Sequence, residues 1–441
     1  MAAQFSASEG RPWKAKFFTI WGGQAASMFG SQLVQFALIW YLTVATESAT
    51  VLAIASLVGM LPGVILGPVA GTLVDRWNRR WVMMAADGLI AAATILLAIL
   101  FIFDGAEVWH IYTLMFVRSL AAAFHGNAMT ASTSLMVPVE HLSRVQGINQ
   151  MLNGGLNVVA APVGALLLAV LPLQGILAID VLTAAIAIGP LLFIEIPQPE
   201  RQAPSRRGTG AAASMFDEFR EGLGYILGWQ GLMLVSAFAV AINFVISPAF
   251  ALLPLLVKEH FGGGALELSW VESAFGLGVI VGGGLLGAWG GFKRKIATSM
   301  AGLLGLGLGA FLLGVAPANA LPMAIGGGLV IGLMLPMING PILAVIQSSV
   351  QPDMQARVLS ILTSLCTGMA PIGLVLAGPL ADRMGTQSWF VIAAGLCLAM
   401  GVFGFLNSEV MGIEEYPKAE TSSAAAALEP GVIGPVSDEW G

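Results

Sequence analysis

Apolar runs of more than 18 residues, separated by short polar breaks, recur along the chain from Phe17 to Leu406. Each is long enough to cross ~30 Å of hydrocarbon as a helix. The pattern predicts twelve spans, at 17–46, 51–73, 81–103, 109–136, 146–170, 173–194, 232–257, 268–289, 298–315, 320–349, 358–380 and 389–407. The longest interruption, 195–231, divides them six and six. It begins as a Pro/Arg-rich linker, PQPERQAPSRR, and then becomes SMFDEFREGLGYILGW, with Ser214 and Asp217 spaced as a capping box. Phe216, Phe219, Leu223, Ile226 and Leu227 form an apolar stripe there, which predicts a helix lying on the membrane surface and tying the halves together. The expected organisation is a tail at 1–16, a six-helix bundle at 17–194, the linker at 195–231, a second bundle at 232–407 and a disordered tail at 408–441.

Composition agrees with this all-α membrane class. With 57% hydrophobic and 10% charged residues and a mean hydropathy of +0.85, the chain is far from the roughly 25% charge of soluble domains, so a water-soluble enzyme is excluded. The N-terminal MAAQFSASEGRPWKAK lacks the order of a cleaved signal peptide. Cys366 and Cys397 lie in apolar segments without metal-ligand spacing, and no metal or other cofactor is expected. Much of the net charge of −6 comes from acids in the last tail, so it says nothing of a substrate. Placing both termini in the cytoplasm puts all but three of the 19 Lys and Arg on that side, leaving Lys258 and Arg383 outside and Arg118 within a span. That bias sets the expected topology.

The halves read as a duplication. Gly63-Val64-Ile65-Leu66-Gly67 recurs as Gly278-Val279-Ile280-Val281-Gly282, and Arg79-Arg80 meets Arg294-Lys295 at the same offset. Arg144-Val145 opens span 5 as Arg357-Val358 opens span 11, and Ala161-Pro162-Val163-Gly164 is echoed by Ala370-Pro371-Ile372-Gly373. Parallel six-span repeats are a transporter architecture, with substrate near the midplane between halves.

Between spans 2 and 3, Gly71-Thr72-Leu73-Val74-Asp75-Arg76-Trp77-Asn78-Arg79-Arg80 resembles the signature loop of the major facilitator superfamily, G-x-L-x-D-R-x-G-R-R, with Asn78 at the usual Gly. RSLAAAFHGNAMTASTSLMVPVEHLSRVQGINQ and GGGALELSWVESAFGLGVIVGG resemble the macrolide-efflux-like branch of drug:proton antiporters. Arg118 matches the membrane arginine of the antiporter motif in span 4, although Ala121 and Ala122 stand at its Gln and Gly. The resemblance implies two pseudo-symmetric six-helix bundles. It also implies a conformational-switch loop of Gly71, Asp75, Arg76, Arg79, Arg80 and Arg144, in which Asp75 latches the outward-facing state at the N-terminus of span 11 near Arg144. Gly290 replaces Asp75 in the second half, so one such latch is expected, and Arg76, Arg79 and Arg80 also suit positive-inside anchoring.

A charge within a span is costly and marks a functional candidate. Arg118 lies nine residues past Trp109, about 14 Å below the outer surface at 1.5 Å per residue, with no carboxylate at its depth in span 1. His125 follows on the same face. Asp87 in span 3 lies about 9 Å from the cytoplasmic end and Asp180 in span 6 about 10 Å from the outer end. Glu272 in span 8 is expected at the membrane interface. These four are the proton-coupling candidates, with Asp87 and His125 at similar depths. Polar stripes such as Gln24, Ser27, Ser31 and Gln35 must face protein or water, and interhelical hydrogen bonds worth about 0.6 kcal/mol are their competing use. In the superfamily spans 1, 4, 7 and 10 line the cavity, which implies Gln24, Ser31, Arg118, Asn243, Ser247 and Asn339 as cavity residues. Asn127 matches Asn339 in position but lies about 180° round span 4 from Arg118.

No G-x-x-x-x-G-K-[ST] occurs among the 55 glycines, so ATP is not expected as a partner. Gly278, Gly282, Gly283 and Gly287, and the run from Gly302 to Gly309, read as helix-contact surfaces. The reading is therefore a non-enzymatic, monomeric secondary transporter of a bacterial inner membrane, embedded in the lipid bilayer with no nucleic-acid partner. It is expected to export small amphipathic or hydrophobic molecules, macrolide-like drugs among them, by alternating access in exchange for protons. Export of a siderophore or another endogenous solute is the rival within the class. An intramembrane enzyme or sensor is the rival outside it, and His110, His125, His141 and His260 are scattered without the spacing it would need.

Overall fold

The computed structural model describes residues 12–198 and 211–414, and these are helical with no β-strand among them. The elements are α1 (Pro12–Thr46), α2 (Ala49–Val74), α3 (Arg79–Ile102), α4 (Val108–Met136), α5 (Val139–Val170), α6 (Leu173–Phe193), α7 (Ala211–Gly228), α8 (Gln230–Leu255), α9 (Ala265–Trp289), α10 (Lys295–Val315), α11 (Leu321–Ser349), α12 (Pro352–Met384), α13 (Thr386–Leu406) and the single turn α14 (Ser408–Met411). A π-helical turn, Leu256–His260, extends α8. Among the described residues eleven helices are long and apolar enough to cross a membrane. The remaining long helix of the twelve, α4, is less apolar because it carries Arg118, two histidines and a run of Ser, Thr and Asn. It is held between α2 and α3. Large apolar side chains such as Ile65, Leu96, Leu182 and Val402 stay exposed on the outside of the bundle, as helices facing acyl chains require.

Packing makes the duplication physical. In the first half α1 packs on α5 and α6, α2 on α4, and α3 on α4 and α6; in the second half α8 packs on α12 and α13, α9 on α11, and α10 on α11 and α13. The two most extensive contacts between halves, α2 with α12 and α5 with α9, exchange under the same correspondence. The halves are not equally tight. A Cβ on Gly278 or Gly282 would run into the carbonyl oxygens of Leu329 and Leu333 on α11, whereas Gly283 and Gly287 face open space, so half of the expected glycine surface is a helix contact. Their first-half counterparts, Gly63 and Gly67, have nothing closer than Ser119 Oγ at 3.7 Å. The contact of α9 with α11 is thus closer at these glycines than its counterpart, α2 with α4.

Several boundaries move. Helix α1 begins at Pro12, inside the expected tail, and Trp13 stacks on His141 with ring centroids 5.3 Å apart; proline suits a first helical turn because its missing N–H has no helical acceptor there. Residues 408–414 belong to the folded body, since Val410 and Ile413 are buried and the Glu414 carboxylate accepts the N–H of Ile296. Helix α7 packs on α8 and α12 of the second half, with Arg357 and Glu221 paired at 2.9 Å. The side chains of Ser214, Phe216 and Asp217, the Pro/Arg-rich linker and the tail beyond Glu414 lie outside the described residues.

Candidate functional site: two buried polar clusters beside a cavity

At the Glu47 end of the bundle the halves are fastened. Asp382, near the end of α12, accepts hydrogen bonds from the N–H groups of Ala49 (2.6 Å) and Thr50 (3.1 Å) and from the hydroxyls of Ser48 and Thr50. A carboxylate at the end of its own helix opposes that helix's dipole, but here it meets the positive N-terminus of α2. Beside it Lys258 pairs with Glu47 at 2.5 Å. Deeper in the bundle Ser273 of α9 donates to Val158 O of α5. Every described side-chain hydrogen bond and ion pair between the halves lies at or toward this end. At the other end Asp75 pairs with Arg79 at 3.5 Å with 73% of its side chain exposed, and Arg144 is exposed and makes no contact with it. Arg80 donates to the carbonyls of Leu191 and Leu192 and so caps the C-terminus of α6, Arg76 lines a groove with Trp77, and Gly71 lines a pocket with Asp75 and Asn127.

From that open end a cavity of about 660 Å³ runs into the first half. Trp21, Asp87, Thr130, Gln146 and Asn149 line it within about three turns of that end, and Ser31 and Arg118 lie deeper in. Two charged clusters sit in its wall. In one, Arg118 Nη1 of α4 meets Asp180 Oδ2 of α6 at 2.5 Å, Thr94 of α3 donates to the same carboxylate oxygen, and Ser31 of α1 donates to the other. Arg118 Nη2 donates to Ser31 O. Every element of that cluster comes from a different helix. In the second, His125 Nε2 lies 2.7 Å from Gln24 Oε1 and 3.6 Å from Asp87 Oδ1, and Gln24 Nε2 donates to Asp87 Oδ2 at 3.2 Å. With Nε2 protonated, His125 donates to Gln24, which passes an N–H on to the carboxylate.

The geometry redistributes the sequence candidates. Arg118 and Asp180 were read separately, one as a cavity charge and the other as a proton carrier, and they form one ion pair. Their depths, about 14 and 10 Å from the same surface, are the signal in the sequence that the two can meet. Gln24 and Ser31 each hold a carboxylate rather than standing free in the cavity. Glu272 lies seven residues into α9, about 10 Å along the axis, and lines a second cavity of about 460 Å³ between the halves together with Ser247. Asn243 donates back to Ala239 O of its own helix, and Asn339 is exposed; neither lines the two cavities. Asp382 escaped the sequence reading, and its placement against its own helix dipole was the local signal.

A family model described as transmembrane secretion effector matches residues 8–436. Macrolide efflux protein A of Streptococcus pyogenes is 34% identical over 402 residues, covering 91% of this chain and 98% of its own. The multidrug efflux pump Tap of Mycobacterium tuberculosis is 26% identical over 410 residues, covering 90% and 94%. Among solved structures, a bacterial homologue of the human lysosomal transporter Spinster, described as inward-facing and unoccupied, superposes with a TM-score of 0.66 at 13% identity over 93% of this chain and 98% of that one.

Proposed function

The chain belongs to the transmembrane secretion effector family of major facilitator transporters, and on that footing we propose that it exports amphipathic or hydrophobic compounds, macrolide-like drugs among them, in exchange for protons. It is a multi-pass membrane transporter and not an enzyme. The basic residues that cluster at the Asp75 end support a cytoplasmic side for that end, in keeping with the expected topology in a bacterial membrane. On this reading the fastening at the Glu47 end corresponds to the inward-open state of an alternating-access cycle.

The observation that carries the coupling is the Asp87–Gln24–His125 cluster in the cavity wall. Arg118 is already matched to Asp180, so the charge on Asp87 is balanced only while His125 carries a proton. The pair is neutral overall with one shared proton and leaves a bare carboxylate in a low-dielectric wall without it. Loading and release of that proton therefore changes the electrostatics of the cavity on each cycle. Gln24 transmits the change to α1, which packs on α5 and α6. Asp75 is exposed in this state and free to latch the cytoplasmic ends in the opposite one, near Arg144 and the N-terminus of α12.

The test is efflux from cells and proteoliposomes of erythromycin and other amphipathic drugs, with and without an imposed proton gradient and an uncoupler. Gradient-dependent export is the expected result. Export that ignores the gradient would leave a drug transporter coupled to something else, and no export of any amphipathic compound would point to the rival endogenous solute.

A further inference from the structure

The cavity between the halves has a feature that proton exchange at Asp87 and His125 leaves unused. Glu272 lines it, and among the described residues its carboxylate has no hydrogen-bond or ion-pair partner. The contrast with the other membrane acids is sharp: Asp180 has Arg118, Thr94 and Ser31, and Asp87 has Gln24 and His125. A carboxylate in this setting costs several kcal/mol unless a cation or a proton joins it, and the protein supplies no cation here. Its surroundings say which kind of cation fits. Phe36, Phe250 and Leu374 give the cavity apolar and aromatic walls, while Gln35 and Asn157 add neutral amides. A hard metal ion takes about six or more oxygen ligands, usually with more than one carboxylate, and no group of three or more His, Cys, Asp or Glu able to hold one occurs among the described residues. An organic ammonium with an apolar body is complementary to both parts, its charge on Glu272 and its body against the aromatic rings. Gln32 and Gln35 line this cavity and also the one beside Arg118, so the two chambers adjoin.

We propose that Glu272 is the ammonium anchor of a substrate subsite between the halves, which selects cationic amphipathic compounds over neutral ones of the same shape. The assignment deepens the export reading and rests on it for the word substrate. The fastened end at Asp382 closes the subsite from outside in this state, so a bound cation sits against the seal that must open for its release.

The experiment is equilibrium binding to the full-length protein in lipid nanodiscs, with tetraphenylphosphonium as a permanent cation and triphenylphosphine oxide as an uncharged aromatic counterpart. Glu272→Gln should weaken tetraphenylphosphonium by about tenfold or more and leave triphenylphosphine oxide within about twofold, while Glu272→Asp keeps most of the cation affinity. Equal cation affinity in wild type and Glu272→Gln overturns the anchor. So does parallel loss of both probes, which would mean collapse of the cavity. Unchanged cation affinity with a lost pH response would make Glu272 a proton carrier instead. Drug efflux measured separately keeps the two readings apart: Glu272-dependent binding without export sinks export alone, and export untouched in Glu272→Gln sinks the anchor alone.

Discussion

Arg118 on α4 and Asp180 on α6 stand 2.5 Å apart, with 9% and 1% of their side chains exposed. The pair joins α4 to α6 across a position where Thr94 of α3 and Ser31 of α1 complete the hydrogen bonding. Removing a single partner leaves the other charge bare, which costs about 3–5 kcal/mol in buried pairs. Arg118→Ala and Asp180→Asn should therefore each lower thermal stability in detergent substantially and abolish export. The joint replacement Arg118→Met with Asp180→Leu should recover most of the stability but not the transport. Single variants that melt with the wild type would show that the pair does not hold the half together.

Asp87→Asn and His125→Ala act on the coupling cluster instead. Both should retain drug binding while export driven by an imposed pH gradient falls to the gradient-free background. Counterflow exchange at equal pH should survive. Gradient-driven export at the wild-type rate in both variants would remove this cluster from the coupling path.

Asp382 is the fastening between α12 and the N-terminus of α2. Asp382→Ala should cost the closed outer end about 1 kcal/mol, the usual worth of a lost N-cap, and shift the population toward the outward-open state. Spin-label distances between the outer ends of α2 and α12 would lengthen. The neighbouring Glu47 carboxylate is held below its ordinary range by its hydrogen bond and charge contact with Lys258. Because that value is depressed on folding, its contribution is fully present above the ordinary carboxylate range and is lost as pH falls through the lowered value. The outer fastening should therefore be constant from neutral to mildly acidic pH and loosen only in strong acid; loosening at neutral pH would contradict it.

Asp75→Asn should shift the same distances the other way, favouring the inward-open state, because the exposed carboxylate pairs with Arg79 alone in the present state. Protein levels should stay near wild type while export drops. Unchanged distances together with unchanged export would end the latch role.

Gly282 tests the close packing of α9 on α11. A Cβ there meets the carbonyl oxygen of Leu333 on α11, so Gly282→Ala should destabilise the protein by about 1–3 kcal/mol, as overpacking does. Gly283→Ala, where the Cβ enters open space, should be tolerated. Equal melting of the two variants would contradict the asymmetry.

Hydropathy and repeat pattern by themselves determined the membrane class and the long apolar helices, because span length and helix period are local properties of the chain; the loop at Gly71–Arg80 stood out by its resemblance to a family motif. The same pattern brought Arg118, Asp87, His125, Asp180 and Glu272 forward, since any charge in an apolar run stands out. Only the tertiary structure decided who partners whom. Arg118 meets Asp180 from 62 residues away, Gln24 joins Asp87 to His125 across three helices, and Asp382 finds the N-terminus of α2 more than three hundred residues back. Such pairings depend on how helices rotate and cross, which a stripe of polar residues does not fix. Glu272 shows the limit best: depth along a helix left it at the interface, and the packing of α9 against α5 and α11 turned it into the space between the halves.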